Sequence, residues 1–307
     1  MSIAVSRLTK VFGAQQAVGD ISFTVREGEI AGFLGPNGAG KSTTMKMITG
    51  FLPPTSGSVS VNGIDVTRDP RAVKQSIGYL GEHNPLYLDM YVHEYLHFVA
   101  GLYRIPSARR RDRVDEMIAL CGLAAEQNKK IGFLSKGYRQ RIGLAQALIH
   151  DPSVLILDEP TSGLDPNQLV EIRRLIKTVS ANKTVLFSSH ILQEVQALCE
   201  RVMVIHRGTL VADDKLENLM RRNGAAVIIE FSAPVNESLL ASAEGVTSVA
   251  RLSDLKFRLT LTTDRDVRPA LIRFAAEHQL PLVGIAQEEN SLESVFSQLT
   301  SSDATAA

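Results

Sequence analysis

The sequence predicts an α/β fold for the larger, N-terminal part of the chain and a smaller α+β domain behind it. Three apolar runs predict short strands buried on both faces, as in a parallel sheet covered by helices: 29–34, 154–157 and 184–188. Helical periodicity lies between these runs, whereas from about Ala225 the pattern changes to alternating strands and amphipathic helices. A chain of 307 residues is also longer than one hydrophobic core usually serves. We therefore expect two domains.

Alternating residues at the N-terminus predict the first strands, over Ser2–Thr9 and Gly19–Val25. Between them, Val11–Ala14 is expected to be a loop that carries Phe12. The flat ring of Phe12 is suited to stack on a nucleotide base. A lone aromatic residue more often belongs to the core, so both interpretations stay open at this point.

A glycine-rich turn joins the first buried strand to a helix predicted over Lys41–Thr49. It fits the pattern G-x-x-x-x-G-K-[ST] and consists of Gly35, Pro36, Asn37, Gly38, Ala39, Gly40, Lys41 and Ser42, followed by Thr43. Glycines let backbone N–H groups approach a phosphate, and the helix N-terminus adds about half a positive charge there. Lys41 supplies a full charge for the β- and γ-phosphates, and the Ser42 hydroxyl is placed for Mg²⁺. We predict a nucleotide site here, in preference to a glycine-rich loop without a ligand.

The middle of the chain predicts two strands, Ser58–Val61 and Ser76–Leu80, followed by helices over Tyr91–Tyr103 and about Ala108–Leu120. The second helix begins with a cluster of arginines at positions 109, 110, 111 and 113, where the helix dipole disfavours cations. We interpret this cluster as a solvated face, with contact to acidic partners or anionic lipid as the alternative.

Two carboxylates end the most apolar strand, at Asp158 and Glu159. The carboxyl ends of strands are where open α/β sheets bind ligands, so Asp158 is predicted to hold Mg²⁺ and Glu159 to reach the attacking water. His190 ends the next buried strand and is predicted to join them. Ser135 opens a further helix that runs to about His150.

These motifs, in this order over residues 2–220, resemble those of the ATP-binding subunit of an ABC transporter. Gly35–Ser42 resembles the Walker A loop, and Val154–Glu159 resembles Walker B followed by the catalytic glutamate. Leu134–Tyr138 is similar to the LSGGQ signature, Ser162–Asp165 to the D-loop, and His190 to the switch histidine.

The resemblance implies an ATPase that uses ATP and Mg²⁺, with Phe12 stacked on adenine and Asp165 in the D-loop. It also implies a head-to-tail homodimer, in which the signature residues Ser135, Lys136, Gly137 and Tyr138 of one copy close over the ATP of the other. The residues themselves favour the same arrangement. The chain offers two phosphate-seeking helix N-termini but a single Lys41 and a single Asp158-Glu159 pair.

The sequence departs from the family pattern at two places. Lys136 replaces a signature glycine and Tyr138 a glutamine, while the serine and the second glycine remain. The position that resembles the Q-loop glutamine is Glu82. A carboxylate there is a candidate ligand for Mg²⁺ or water, and its charge distinguishes it from the glutamine of the family pattern.

A narrower resemblance concerns the segment Ile77–Val92, which is similar to the gliding-motility-associated ATP-binding subunits of ABC-2-type exporters. It implies a separate integral-membrane permease and an exported substrate that binds in the permease rather than in this chain.

The predicted domains are an ATP-binding domain over 1–222, with a helical subdomain at about 83–150, and an accessory domain over 225–300. Alternating Val227, Ile229 and Phe231 and the helical face around Leu271 predict a small α+β fold. The resemblance implies a ferredoxin-like type, as in the C-terminal appendix that some ABC-2-type exporter ATPases carry. We expect a closing helix with Leu292, Val295, Phe296 and Leu299, and then a disordered tail at 301–307. This domain is interpreted as an interaction or regulatory module, with a structural extension as the alternative.

Composition and charge limit the classes of function and the cellular location that we expect for the protein. Lys plus Arg and Asp plus Glu each number 33, which argues against a dedicated nucleic-acid binder. No apolar run approaches the roughly 20 residues that cross a bilayer, and the N-terminus lacks the layout of a signal peptide. We predict a cytoplasmic protein, peripheral on the inner membrane, that energises a permease. The alternative is a soluble ABC ATPase that acts as a mechanical switch without transport.

Overall fold

The computed structural model describes residues 2–222, 226–261, 267–288 and 296. The chain divides into two compact units, Met1–Asp214 and Lys215–Ala307. The boundary expected from the sequence lies at the other end of the helix Leu216–Arg222, which the structure groups with the second unit. Apart from Phe296, the expected closing helix lies outside the described residues, as does the expected tail.

The first unit contains two sheets. Its strands are β1 (Ile3–Phe12), β2 (Gln15–Val25), β3 (Ile30–Leu34), β4 (Ser56–Val61), β5 (Ile64–Asp65), β6 (Ile77–Leu80), β7 (Val154–Asp158), β8 (Thr184–Ser189), β9 (Arg201–His206) and β10 (Thr209–Lys215). The helices up to the boundary are α1 (Lys41–Ile48), α2 (Pro70–Ser76), α3 (Val92–Leu102), α4 (Ser107–Leu120), α5 (Lys136–Leu148), α6 (Pro166–Val179) and α7 (Leu192–Leu198).

The larger sheet has the order β10-β9-β3-β8-β7-β6. Strands β3, β6, β7 and β8 pair in parallel and are almost wholly buried, as their unbroken apolar sequences predict. The register aligns Leu34 with Ser189 and Asp158 with Ser188. The carboxyl ends of β3, β7 and β8 therefore meet at one edge of the sheet.

An antiparallel sheet of order β2-β1-β4-β5 shares one core with the parallel sheet. Side chains of β1 and β2 and the α1 residues Met45, Met47 and Ile48 belong to the same buried cluster as Phe33 of β3. The prediction of a loop over Val11–Ala14 is wrong for its first two residues, because Phe12 is the last residue of β1 and pairs with Gln15.

Helices α3, α4 and α5 pack against one another within the first unit. Arg113 of α4 donates to the carbonyl oxygens of Leu148 (2.7 Å) and Ile149 (2.8 Å) at the end of α5. It thereby satisfies carbonyls that a helix C-terminus leaves without intrahelical partners. Arg109 and Arg111 are exposed, so the arginine cluster is partly a structural cap and partly a solvated face.

The second unit has the element order β-α-β-β-α-β after its first helix. Its described elements are α8 (Leu216–Arg222), β11 (Ala226–Phe231), α9 (Glu237–Ala241), β12 (Val246–Arg251), β13 (Lys256–Leu261), α10 (Arg268–Glu277) and β14 (Leu282–Glu288). The sheet order is β12-β13-β11-β14, with antiparallel neighbours. This is the split βαβ topology of ferredoxin-like domains, and Phe231, Phe257 and Leu259 lie at its core.

Among the described helices, none combines the length and the apolar character that a membrane span requires. Cys121 and Cys199 are buried free thiols, and burial raises the pKa of each.

Candidate active site

The phosphate loop connects β3 to α1 through glycines in left-handed conformations. Gly38 has φ of 80° and Gly40, the N-cap of α1, has φ of 108°. A side chain at Gly40 is also excluded by space, because an added Cβ would lie 2.6 Å from the carbonyl oxygen of Ala17. Only glycine meets both demands without strain, so the loop leaves the backbone N–H groups of the first turn of α1 accessible to an anion.

Lys41 is bound into the site from several sides. Its side chain is 5 % exposed, and Nζ donates to the carbonyl oxygens of Gly35 (2.7 Å) and Pro36 (3.1 Å). The same nitrogen lies 3.2 Å from Oε1 of Glu159. The ammonium group thus bridges the phosphate loop and the carboxylate that follows β7.

Asp158 forms the floor of the site. Its Oδ1 accepts hydrogen bonds from the hydroxyls of Ser188 (2.7 Å) and Ser42 (3.2 Å). Burial raises the pKa of the Asp158 carboxyl, and the two serine hydrogen bonds oppose this shift. The Ser42 and Asp158 oxygens therefore lie side by side, as the oxygen-ligand chemistry of Mg²⁺ requires.

Glu159 is held in an unusual backbone conformation, with φ of 51°. Its backbone N–H donates to the Ser188 hydroxyl at 3.0 Å, and its Oε2 accepts from Nδ1 of His190 at 2.8 Å. Non-glycine residues with positive φ are uncommon, and strained residues cluster at functional sites. The carboxylate is thus placed between the Lys41 ammonium and the His190 imidazole.

A pocket of about 590 Å³ opens above these groups. The residues predicted from the sequence that line it are Phe12, Asn37, Gly38, Gly40, Lys41, Ser42, Thr43, Glu82, Glu159 and His190. Ser162, the first residue of the segment that resembles the D-loop, also lines it, together with Gln15 and Ala17, which the sequence patterns did not indicate. Gly35 and Pro36 contribute carbonyls to Lys41, while Ala39 and Asp158 are buried.

Phe12 stands at the wall of this pocket rather than in the core. The residue is 48 % exposed, and Nζ of Lys10 lies 5.1 Å from the ring centroid. The core alternative for Phe12 is therefore wrong. An exposed aromatic face beside a phosphate-binding loop suits a nucleotide base.

The signature residues do not line the pocket of their own chain. Ser135 caps α5, and its hydroxyl accepts from the backbone N–H of Tyr138 at a long 3.4 Å. Gly137 packs against Gln168 of α6, while Ser135 and Lys136 are exposed. Asp165 caps α6 by accepting from the Gln168 backbone N–H at 2.9 Å.

The structure shows a buried hydrogen-bonded pair, Ser189 and Glu194, that the sequence patterns did not indicate. Ser188 and Ser189 are fully buried at the end of β8, and the Ser189 hydroxyl donates to Oε2 of Glu194 at 2.7 Å. Two serines closing an apolar strand directly before His190 were the available signal, because polar residues at a buried strand end need partners.

Comparison with known proteins relates this arrangement to a family. A family model described as "ABC transporter" matches residues 18–162. The linearmycin resistance ATP-binding protein LnrL of Bacillus subtilis is 33% identical over 302 residues, which cover 95% of this chain and 96% of that protein. The bacitracin transport ATP-binding protein BcrA of Bacillus licheniformis is 39% identical over 223 residues, 72% of each chain.

A solved structure shows the same likeness in three dimensions. It is the dimeric ATP-binding cassette MJ0796 in a post-hydrolysis state, bound to ADP and Pi. It has a TM-score of 0.64 and 26% identity, and the match covers 70% of this chain and 98% of that one.

Proposed function

The chain belongs to the ABC transporter family as one of its ATP-binding, ATP-hydrolysing subunits, and from this premise we propose that it energises export through a separate membrane permease. The observation that carries the energising role is the Lys41–Glu159–His190 cluster at the pocket wall, because it joins a phosphate-seeking cation to a carboxylate and an imidazole, as ATP hydrolysis needs. The names of LnrL and BcrA, a resistance protein and a transport protein, support an exporter.

In this proposal Glu159 polarises the attacking water, and His190 holds the γ-phosphate and positions that water. Lys41 exchanges its contact with Glu159 for one with the phosphates, which frees the carboxylate for the water. Ser42 and Asp158 would hold Mg²⁺, because Oγ of Ser42 and Oδ1 of Asp158 lie 3.2 Å apart at the floor of the pocket. When bound with ATP, the metal neutralises phosphate charge.

A second copy completes the site. The N-terminus of α5 presents exposed Ser135 and Lys136 together with backbone N–H groups, yet no signature residue lines the pocket of its own chain. We place Ser135 and Gly137 of one copy over the ATP of the other, with Asp165 in the adjoining D-loop. The dimeric MJ0796 structures provide the precedent for such a pair.

The permease is proposed to dock on an aromatic groove of about 380 Å³ that includes Pro85, Tyr87, Phe98 and Leu102. Exposed apolar side chains of this size mark interaction sites when they cluster, and Leu102 is 65 % exposed. Pro85 lies three residues after Glu82, which lines the nucleotide pocket. One short segment of the chain therefore links the nucleotide pocket to the groove. In this proposal the groove is occupied by a short permease segment at the cytoplasmic face of the inner membrane.

We infer the class of exported substrate from the relatives rather than from the narrower resemblance of the segment Ile77–Val92. A gliding-motility role is supported only by the likeness of Ile77–Val92, whereas the relatives' names support an exporter of the resistance type. The competing proposal, a soluble ABC ATPase that acts as a mechanical switch, predicts no permease and no use for the groove.

Membrane fractionation tests the export proposal. The full chain is expressed with and without its candidate permease, and membranes are washed with high salt. We expect salt-resistant binding only with the permease, and its loss in Leu102→Glu but not in Phe133→Glu, a matched change at an 84 % exposed residue that does not line the groove. Equal binding without the permease, or retention by Leu102→Glu, would contradict it.

A further inference from the structure

The last two residues of strand β8 form side-chain hydrogen bonds on opposite faces of the sheet. Successive strand residues point to opposite faces of a sheet, so Ser188 and Ser189 reach different neighbours. Ser188 bonds to Asp158 and to the Glu159 backbone N–H. The hydroxyl of Ser189 instead donates to Oε2 of Glu194 at 2.7 Å and accepts from the Ile191 backbone N–H at 3.0 Å.

Glu194 is a buried ionisable residue that the proposed reaction does not use. It lies on α7 and is 0 % exposed. Its Oε1 is buried without a hydrogen-bond partner among the described residues. Burying a carboxyl group with one of its two oxygens unsatisfied is costly. The retained carboxyl group therefore calls for a role beyond packing.

The backbone on either side of Ser189 connects this pair to the reacting groups. The Ser189 carbonyl accepts from the N–H of Gly35, the first residue of the phosphate loop, at 3.4 Å. The next residue is His190, whose imidazole meets Glu159 at 2.8 Å. A shift of the Ser189–Ile191 backbone would thus move the His190 ring relative to Glu159.

We propose that Glu194 is a positioning residue for ATP hydrolysis. Through the Ser189 hydroxyl it fixes the turn that follows β8 and so holds His190 against Glu159. The inference rests on the proposed roles of Glu159 and His190, and it extends them to a carboxyl group that touches neither the pocket nor the nucleotide.

Steady-state kinetics with the full chain test this role. Glu194→Ala and Ser189→Ala are expected to lower kcat roughly 10- to 100-fold, because about an ångström of misplacement can cost 10²-fold. The KM for ATP should change little, because neither side chain lines the pocket. Glu194→Gln keeps an oxygen that accepts the Ser189 hydrogen bond, so it should recover much of the lost rate. The double variant should be no slower than the slower single one, because the two side chains act as one unit.

Ser180→Ala provides the matched control for removing a buried hydroxyl. Ser180 is also buried and donates to the Ile176 carbonyl at 2.6 Å, away from the pocket lining. Its kcat should equal that of the wild type. Binding of a fluorescent ATP analogue counts the folded sites in each preparation, so that rates are compared per site. Where Glu194→Ala does not fold, Ser189→Ala and Glu194→Gln decide the question.

Several outcomes would overturn the inference. These are a wild-type kcat per folded site in Ser189→Ala, no recovery in Glu194→Gln, or an equal loss in Ser180→Ala. Failure of the proposed function looks different, because the wild type would then lack ATPase activity or Glu159→Gln would turn over at the wild-type rate.

Discussion

Two helix N-termini in the first unit, those of α1 and α5, offer the same chemistry in opposite settings. Both present backbone N–H groups and a positive dipole end. At α1, Lys41 is buried and contacts Glu159 of its own chain. At α5, Ser135 and Lys136 are exposed, and the cap hydrogen bond of Ser135 is long. This difference supports our proposal that the chain builds one half of a phosphate site around α1 and presents the other half to a second copy.

The largest effect is expected from removing the reacting carboxylate that faces α1. Glu159→Gln should bind ATP yet lose roughly 10²–10⁴-fold in turnover, the usual cost of losing a general base. Phosphate release at saturating ATP measures this. Glu116→Gln, an exposed carboxylate on α4, is the matched control. Turnover of Glu159→Gln near the wild-type rate would remove Glu159 from the role of base.

The next effect concerns binding at the same helix. Lys41→Ala should weaken ATP binding by about 10- to 100-fold, because a hydrogen bond to a charged group contributes about 1.5–3 kcal/mol. Lys46→Ala, an exposed lysine on the same helix, should bind ATP like the wild type. Titration with a fluorescent ATP analogue compares them, and equal affinities would show that Lys41 does not reach the phosphates.

A change at α5 tests whether its N-terminus serves another copy. In the Glu159→Gln background, ATP with Mg²⁺ should shift the protein from monomer to dimer, and ADP should not. Adding Ser135→Arg should abolish this shift by placing a long side chain where the γ-phosphate of the partner must approach. ATP binding by each monomer should persist. Sedimentation velocity decides, and a dimer that forms with ADP or tolerates Ser135→Arg would refute the model for the isolated subunit.

A smaller effect is expected at Glu82, which lines the α1 pocket where the family pattern has glutamine. If its carboxylate contributes to the metal site, Glu82→Gln should raise the Mg²⁺ concentration needed for half-maximal turnover. An unchanged Mg²⁺ titration would restrict Glu82 to relaying contact with the permease. In that case transport should fall while turnover of the isolated subunit persists.

The sequence predicted the parts of this site that depend on local pattern. The glycine turn before α1 and the apolar run ending in Asp158 and Glu159 identify a strand–loop–helix and a buried strand without knowledge of the fold. The contact of Lys41 with Glu159 and the Ser189–Glu194 pair depend instead on which strands are neighbours, because parallel register brings together residues distant in the chain. Phe12 was misplaced because strand β1 runs further than its alternation indicates.

The far end of α5 provides the mildest test, one of stability rather than turnover. His150 follows this helix and stacks on Tyr103, with ring centroids 3.7 Å apart and planes 2° apart. Its Nε2 donates to the Ile77 carbonyl at 3.1 Å. Burial lowers the pKa of His150 to about 4, whereas an unfolded histidine titrates near 6.5. The unfolded chain therefore takes up this proton first as the pH falls, so the contribution of neutral His150 is fully present above about pH 6.5 and is lost progressively toward pH 4.

In His150→Gln the fall of the melting temperature between pH 7 and pH 5 should be shallower than in the wild type. The exposed control His278→Gln should keep the wild-type slope. Melting curves across this pH range measure the difference, and an identical slope in His150→Gln would show that His150 carries no part of the acid sensitivity.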